Sequence, residues 1–125
     1  MPAYDEAEIP PAPIASVTWA SPAAPDRKAE TRALIDSGAA VTVAPPDVFL
    51  ALGVKSIGWL EATGYQGEAE RHQVFEVSLE IEGHLLPLLR VAEAEVDEAI
   101  IGRDVLNRFI LTLNGPALTF DLSAP

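Results

Sequence analysis

Between His72 and Glu82 the chain alternates with a period of two: Phe75, Val77, Leu79 and Ile81 fall on one side, Val74, Glu76 and Ser78 on the other. Successive side chains of a strand point to opposite faces, so this pattern demands a β-strand with one face on a core. The neighbouring runs are equally short and equally rich in β-branched or aromatic residues. Ile14–Trp19, Thr31–Ile35, Ala39–Ala44, Ile57–Ala62 and Leu85–Val91 read as strands, and Ala99–Ile101 as a short buried run. Ser21–Asp26, Thr63–Gly67 and Glu82–Gly83 separate them with turn chemistry. Ile110–Leu113 and Ala117–Leu122 flank Asn114–Gly115 as a closing hairpin.

Two segments depart from this pattern. Pro45–Gly53 has proline and Asp47 in its first turn and glycine just past its end, the signature of a helix. Asp104–Phe109 can open a second one with Asp104 near its start. Glu93–Glu98 reads as a solvated acidic loop. Residues 1–13 are acidic and proline-rich, which predicts a disordered or extended tail ahead of a single domain over 14–125. The expected class is all-β: a closed or partly open barrel with one or two short helices.

Size and composition remove many functions. A chain of 125 residues, 49% hydrophobic, closes one core and has no room for two enzyme-sized lobes. If the chemistry needs two symmetric halves, the second comes from another molecule. With no cysteine, disulfides, thiolate zinc sites and cysteine nucleophiles are excluded. Only His72 and His84 could serve a histidine metal site, so neither metal nor other cofactor is expected. A net charge of −11 disfavours nucleic acid and anionic membranes as partners. The acidic start lacks the basic-then-apolar order of a secretory signal, and no window reaches the ~20 apolar residues of a membrane span. A cytoplasmic protein is the expectation.

The segment that carries chemistry is Ala33–Ala39, where an apolar strand ends abruptly at Asp36-Ser37-Gly38. A rigid strand delivers a carboxylate at its tip, and a glycine two residues on allows backbones to approach closely. Two such carboxylates a few Å apart cannot both ionise, so the pair holds one proton. The ionised oxygen then takes a proton from a trapped water while the protonated one donates to a peptide carbonyl. Alone, Asp-Ser-Gly reads as an ordinary turn. Downstream, however, stands Ile100-Ile101-Gly102-Arg103-Asp104-Val105-Leu106, an apolar pair, a glycine and a charged helix start.

In this order, and in a chain of this length, the two motifs resemble the single-domain, retroviral-type (retropepsin-like) aspartic protease family, over about Val17 to Phe120. The resemblance implies a retropepsin-like barrel that works as a homodimer on peptide or protein substrates, with Asp36 of each copy in one catalytic pair. It implies that Ser37 braces the two loops across the dimer, and that Gly38 and Ala39 contact substrate. It places the tip of a substrate-covering flap at Thr63–Gly67, so that Gly64 and Tyr65 touch substrate. Ile101, Gly102, Arg103 and Asp104 fill supporting positions beneath the loop. One position departs from the pattern: Ala40 stands where many retroviral members carry an acid that pairs with the downstream arginine. Arg103 therefore needs another partner, Asp104 or a backbone carbonyl. The alternative reading is a dimeric peptide-binding or regulatory module that keeps this fold with little or no turnover. His72 is expected to face solvent, His84 to sit in a turn, and Trp19 and Trp59 to anchor a core or an interface.

Overall fold

The structure, a computed structural model, describes residues 1–63 and 67–125. Among these residues, nine strands and two short helices follow in the order β1 (Ile14–Ala20), β2 (Lys28–Ile35), β3 (Val43–Ala44), α1 (Pro46–Leu52), β4 (Gly58–Thr63), β5 (Ala69–Ile81), β6 (His84–Glu93), β7 (Ala99–Ile101), α2 (Arg103–Leu106), β8 (Ile110–Asn114) and β9 (Thr119–Ser123). Neighbouring strands run β1-β2-β7-β3-β6-β5, and β5 returns to pair with β1. The ring closes, so the barrel itself has no open edge.

The alternation of β5 is realised as read. Phe75, Val77, Leu79 and Ile81 are buried, while Glu76 and Ser78 are half-exposed. Their inward face meets Val17 and Trp19 of β1, Val91 of β6 and Ile101 of β7 in one core. Trp19 is fully buried and donates from Nε1 to Thr31 Oγ1 at 2.9 Å, so its one polar atom is satisfied inside. Helix α1 lies on this core through Val48, Phe49 and Leu52, with Phe49 stacked on Phe75 at 4.1 Å between ring centroids. It ends at Gly53, whose φ of 67° lets its N–H return to Phe49 and Leu50 carbonyls.

Glu82 and Gly83, with φ of 46° and 78°, form the two-residue turn that joins β5 to β6. The first half of β5 leaves the barrel and pairs with β4 from Gly58↔Val74 to Thr63↔Ala69. This two-stranded arm is largely exposed.

Strands β8 and β9 form a separate ribbon outside the barrel. Of residues 1–13, read from sequence as a disordered or extended tail, Pro2 to Tyr4 run along it, and the chain then turns back through an Asp5–Ala12 bridge. Ala3 bridges Thr119, Tyr4 packs against the core beside Phe120, and Arg32 of β2 holds Asp5. Two readings are corrected. Ala39–Ala44 is a strand only at Val43–Ala44, because α2 takes the backbone groups of the preceding residues (below). The second helix is a single turn, Arg103–Leu106, rather than a run to Phe109.

Candidate active site

Strand β2 lies between β1 and β7, and its last residues, Ala33 to Ile35, are matched one to one with Ala99 to Ile101 in parallel. The strand therefore ends inside the sheet. Asp36 follows it immediately, donating its N–H to Ile101 O at 3.0 Å. The chain then turns: Ala39 N–H returns to Asp36 O at 3.1 Å, and Gly38 N–H donates to Asp36 Oδ1 at 2.8 Å. A Cβ at Gly38 would stand 3.0 Å from that carboxylate oxygen, close enough that the carboxylate would have to shift. Asp36 is half-buried, Ser37 and Gly38 are exposed beside it, and among the described residues no ion pair engages its carboxylate.

The loop rests on the second motif. Arg103 donates its backbone N–H to Ala39 O at 2.9 Å and its guanidinium to Ser37 O at 2.8 Å. Of the two partners left open for Arg103, the structure selects the backbone carbonyl. Gly102 is the point of closest approach. A Cβ there would fall 2.7 Å from the carbonyl carbon and oxygen of Val41, which backbone cannot yield. Ile101 is fully buried beneath the loop.

Asp104 does more than begin a helix. Its Oδ1 accepts from Thr42 Oγ1 at 2.7 Å and from Val105 N–H at 2.9 Å, while Oδ2 accepts from Thr42 N–H at 3.1 Å. Thr42 Oγ1 in turn accepts from Gly102 N–H at 3.0 Å. Thr42 is wholly buried and was missed in the sequence. The available signal was one hydroxyl in an otherwise apolar run, Ala39–Ala44.

Above the loop's exit lies a cavity of about 380 Å³, walled by Val41 and Thr42, by Ile57 to Leu60 at the base of the arm, and by Val74, Arg90, Ala92 and Asp104. It is apolar on most sides and open toward solvent. A hollow of about 400 Å³ at the β1–β2 turn, lined by Ser21, Pro22, Pro25 and Lys28, shares no residue with the loop. Trp59 is exposed on the arm, with the Arg71 guanidinium 4.5 Å over its ring, so it anchors no core. His72 does not face open solvent: its ring nitrogens lie 3.0 Å from Glu93 O and 3.2 Å from Glu70. His84 opens β6, its Nε2 2.7 Å from Leu122 O and its ring tilted against Phe109. Gly64 and Tyr65, the expected flap contacts, lie outside the described residues.

No family model matches the sequence, and no curated protein resembles it at the level of sequence. Solved structures resemble it in fold. The simian foamy virus (mac) protease superposes with a TM-score of 0.57 at 16% identity, covering 76% of this chain and 92% of that one. The retroviral protease-like domain of Ddi1 from Leishmania major gives 0.54 at 16% identity, covering 87% of each chain. The EIAV protease, solved with an inhibitor, gives 0.52 at 21% identity, covering 77% of this chain and 86% of that one. A closed six-stranded barrel, an aspartate loop at the tip of β2 and a glycine–arginine turn beneath it thus make up a retropepsin-like protease fold.

Proposed function

We propose that this protein is an aspartic endopeptidase, active as a homodimer in which the Asp36 carboxylates of two copies share one proton and activate one water. The observation that carries the reading is the state of Asp36 itself. It stands at the tip of a core strand, half-buried, with one carboxylate oxygen fixed by Gly38 N–H and no ion pair among the described residues. One oxygen is held by the local turn, and among the described residues nothing engages the other, which supports a chemical role.

In the reaction, the ionised member of the pair accepts a proton from the water as it attacks the peptide carbonyl. The protonated member donates to the carbonyl oxygen, and the proton later passes to the leaving nitrogen. Ser37 braces the two loops against each other. Gly38 and Ala39 offer backbone to an extended peptide, and the β4–β5 arm covers it; Gly64 and Tyr65, which follow β4 in sequence, are the further substrate contacts of this reading. Ile101, Gly102, Arg103 and Asp104 keep the loop in place. The cavity beside Val41 and Trp59 suits an apolar substrate side chain.

Asp36→Asn is isosteric and removes the ionisable group. It is predicted to abolish cleavage of a peptide library between about pH 4 and 7 while the protein stays folded and dimeric. Cleavage that survives the substitution refutes the assignment. The absence of an acid at Ala40 favours a second reading, a dimeric peptide-binding module with little turnover; Asp36-dependent cleavage by the wild type removes it.

A further inference from the structure

The β4–β5 arm is joined to the barrel by a side chain as well as by its backbone. The pairing of β5 with β6 ends at Val74↔Ala92, where the arm departs. One residue further along β6, Glu93 presents its carbonyl toward β5, because Ala92 and Ala94 on either side donate their N–H groups toward β3, to Thr42 O at 3.2 Å and Ala44 O at 3.1 Å. The ring of His72 takes up that carbonyl. Its Nδ1 lies 3.0 Å from Glu93 O, and its Nε2 lies 3.2 Å from Oε2 of Glu70, two residues away on the same strand. Across the arm His72 is matched with Leu60, and Leu60 and Trp59 wall the cavity at the exit of the Asp36 loop. The bond from His72 to Glu93 therefore fixes the base of the arm beside that cavity.

Both atoms that face the ring are acceptors. A backbone carbonyl donates nothing, nor does an ionised carboxylate, while a neutral imidazole has one N–H and one bare nitrogen. The neutral ring can serve Glu93 or Glu70, and the one it leaves faces a lone pair. The imidazolium carries an N–H on each nitrogen and serves both, its contact with Glu70 then being an ion pair. The other charges around the ring favour the same form. Glu93 and Glu95 line the hollow that holds His72, with Arg71 as the cation among its lining residues, and Glu61 of β4 stands opposite Arg71. The His72 side chain is only 23% exposed, so water replaces a lost partner incompletely.

We infer that His72 is a proton-operated tie: charged, it binds the arm to β6, and neutral, it gives up one of its two partners and the arm loosens. It is a positioning residue, acting on the cavity through Leu60 and Trp59. Histidine changes charge between about pH 5 and 8. The tie is complete on the acid side of that window and is lost as pH rises through it. The arm is thus held down under the acid conditions in which a carboxylate pair keeps its shared proton. The tie stands on its own geometry; only its effect on turnover rests on the protease reading.

Amide hydrogen exchange of the whole protein, corrected for the intrinsic effect of pH on exchange, reads the arm directly. Between about pH 5.5 and about pH 8, wild-type protection in the arm, residues 58–63 and 69–73, is expected to fall at least about threefold, the loss of roughly one hydrogen bond. Strands β1 and β2 of the barrel keep theirs. His72→Phe removes both ring contacts and is expected to give low arm protection at every pH. Glu70→Gln isolates the proton. Its amide accepts from the charged ring and donates to the neutral one, so the neutral ring keeps its N–H on Glu93 O. Arm protection in this variant is expected to be the same at both ends of the range. Wild-type protection that does not change with pH overturns the tie. So does a Glu70→Gln variant that loses protection as the wild type does, or a His72→Phe variant with wild-type protection in acid. The expected exchange pattern in a protein that shows no Asp36-dependent cleavage upholds the tie and removes the protease reading.

Discussion

Every polar atom of Thr42 is engaged. Its N–H and Oγ1 donate to the two oxygens of Asp104, Oγ1 accepts from Gly102 N–H, and its carbonyl accepts from Ala92 N–H at 3.2 Å. This buried knot fastens the exit of the Asp36 loop to the start of α2. Thr42→Val keeps the shape and removes the hydroxyl, leaving Gly102 N–H without a partner and Asp104 Oδ1 with Val105 N–H alone. The expected cost is about 1–3 kcal/mol, read as a lower urea midpoint, whereas Thr42→Ser restores most of it. A valine variant as stable as wild type would show that the knot holds nothing. At Gly102 the limit is space. Gly102→Ala drives a Cβ to 2.7 Å from Val41 backbone and is predicted to destabilise by about 1–3 kcal/mol or to displace the loop. Calorimetry of that variant against Gly58→Ala, where a Cβ meets nothing within 4 Å, separates crowding from the loss of a glycine.

The β4–β5 arm shows why some elements were legible before the structure and others were not. Strand β5 announces itself because one face is buried for much of its length, and burial imposes a period of two on the residues. Gly53 and Gly83 are legible because their positive φ angles exclude most other residues. Ala39–Thr42 misleads for the opposite reason. Its residues are nearly as apolar as a buried strand, but their hydrogen bonds go to α2 and the glycine before it, across 60 or so positions of sequence, a pairing no local pattern encodes. Asp36 was found through its neighbours, a strand end and a glycine, while Thr42 was hidden because its partners are distant. The arm also carries a prediction of its own. Trp59 lines the cavity and is exposed, with the Arg71 guanidinium over its ring, so Trp59→Ala should change stability by no more than about 1 kcal/mol. Under the protease reading it should raise KM for peptides with an apolar side chain near the scissile bond and leave kcat nearly unchanged. A KM equal to that of wild type would detach the cavity from substrate binding.

Seen whole, the molecule is a strongly acidic barrel; none of its described helices is long and apolar enough to cross a membrane. Two such bodies repel at long range, and salt shortens that range to about 10 Å at 0.1 M. The proposed dimer is therefore predicted to tighten as sodium chloride rises from about 0.01 to 0.5 M, followed by sedimentation equilibrium. A dissociation constant indifferent to salt would count against this prediction.

Val74 is matched with Gly58 on one side and with Ala92 on the other, and it also lines the cavity above the loop. The arm is thus a cantilever with a clamp rather than a door with a hinge. A group lodged in the cavity therefore touches the residue at which arm and barrel meet.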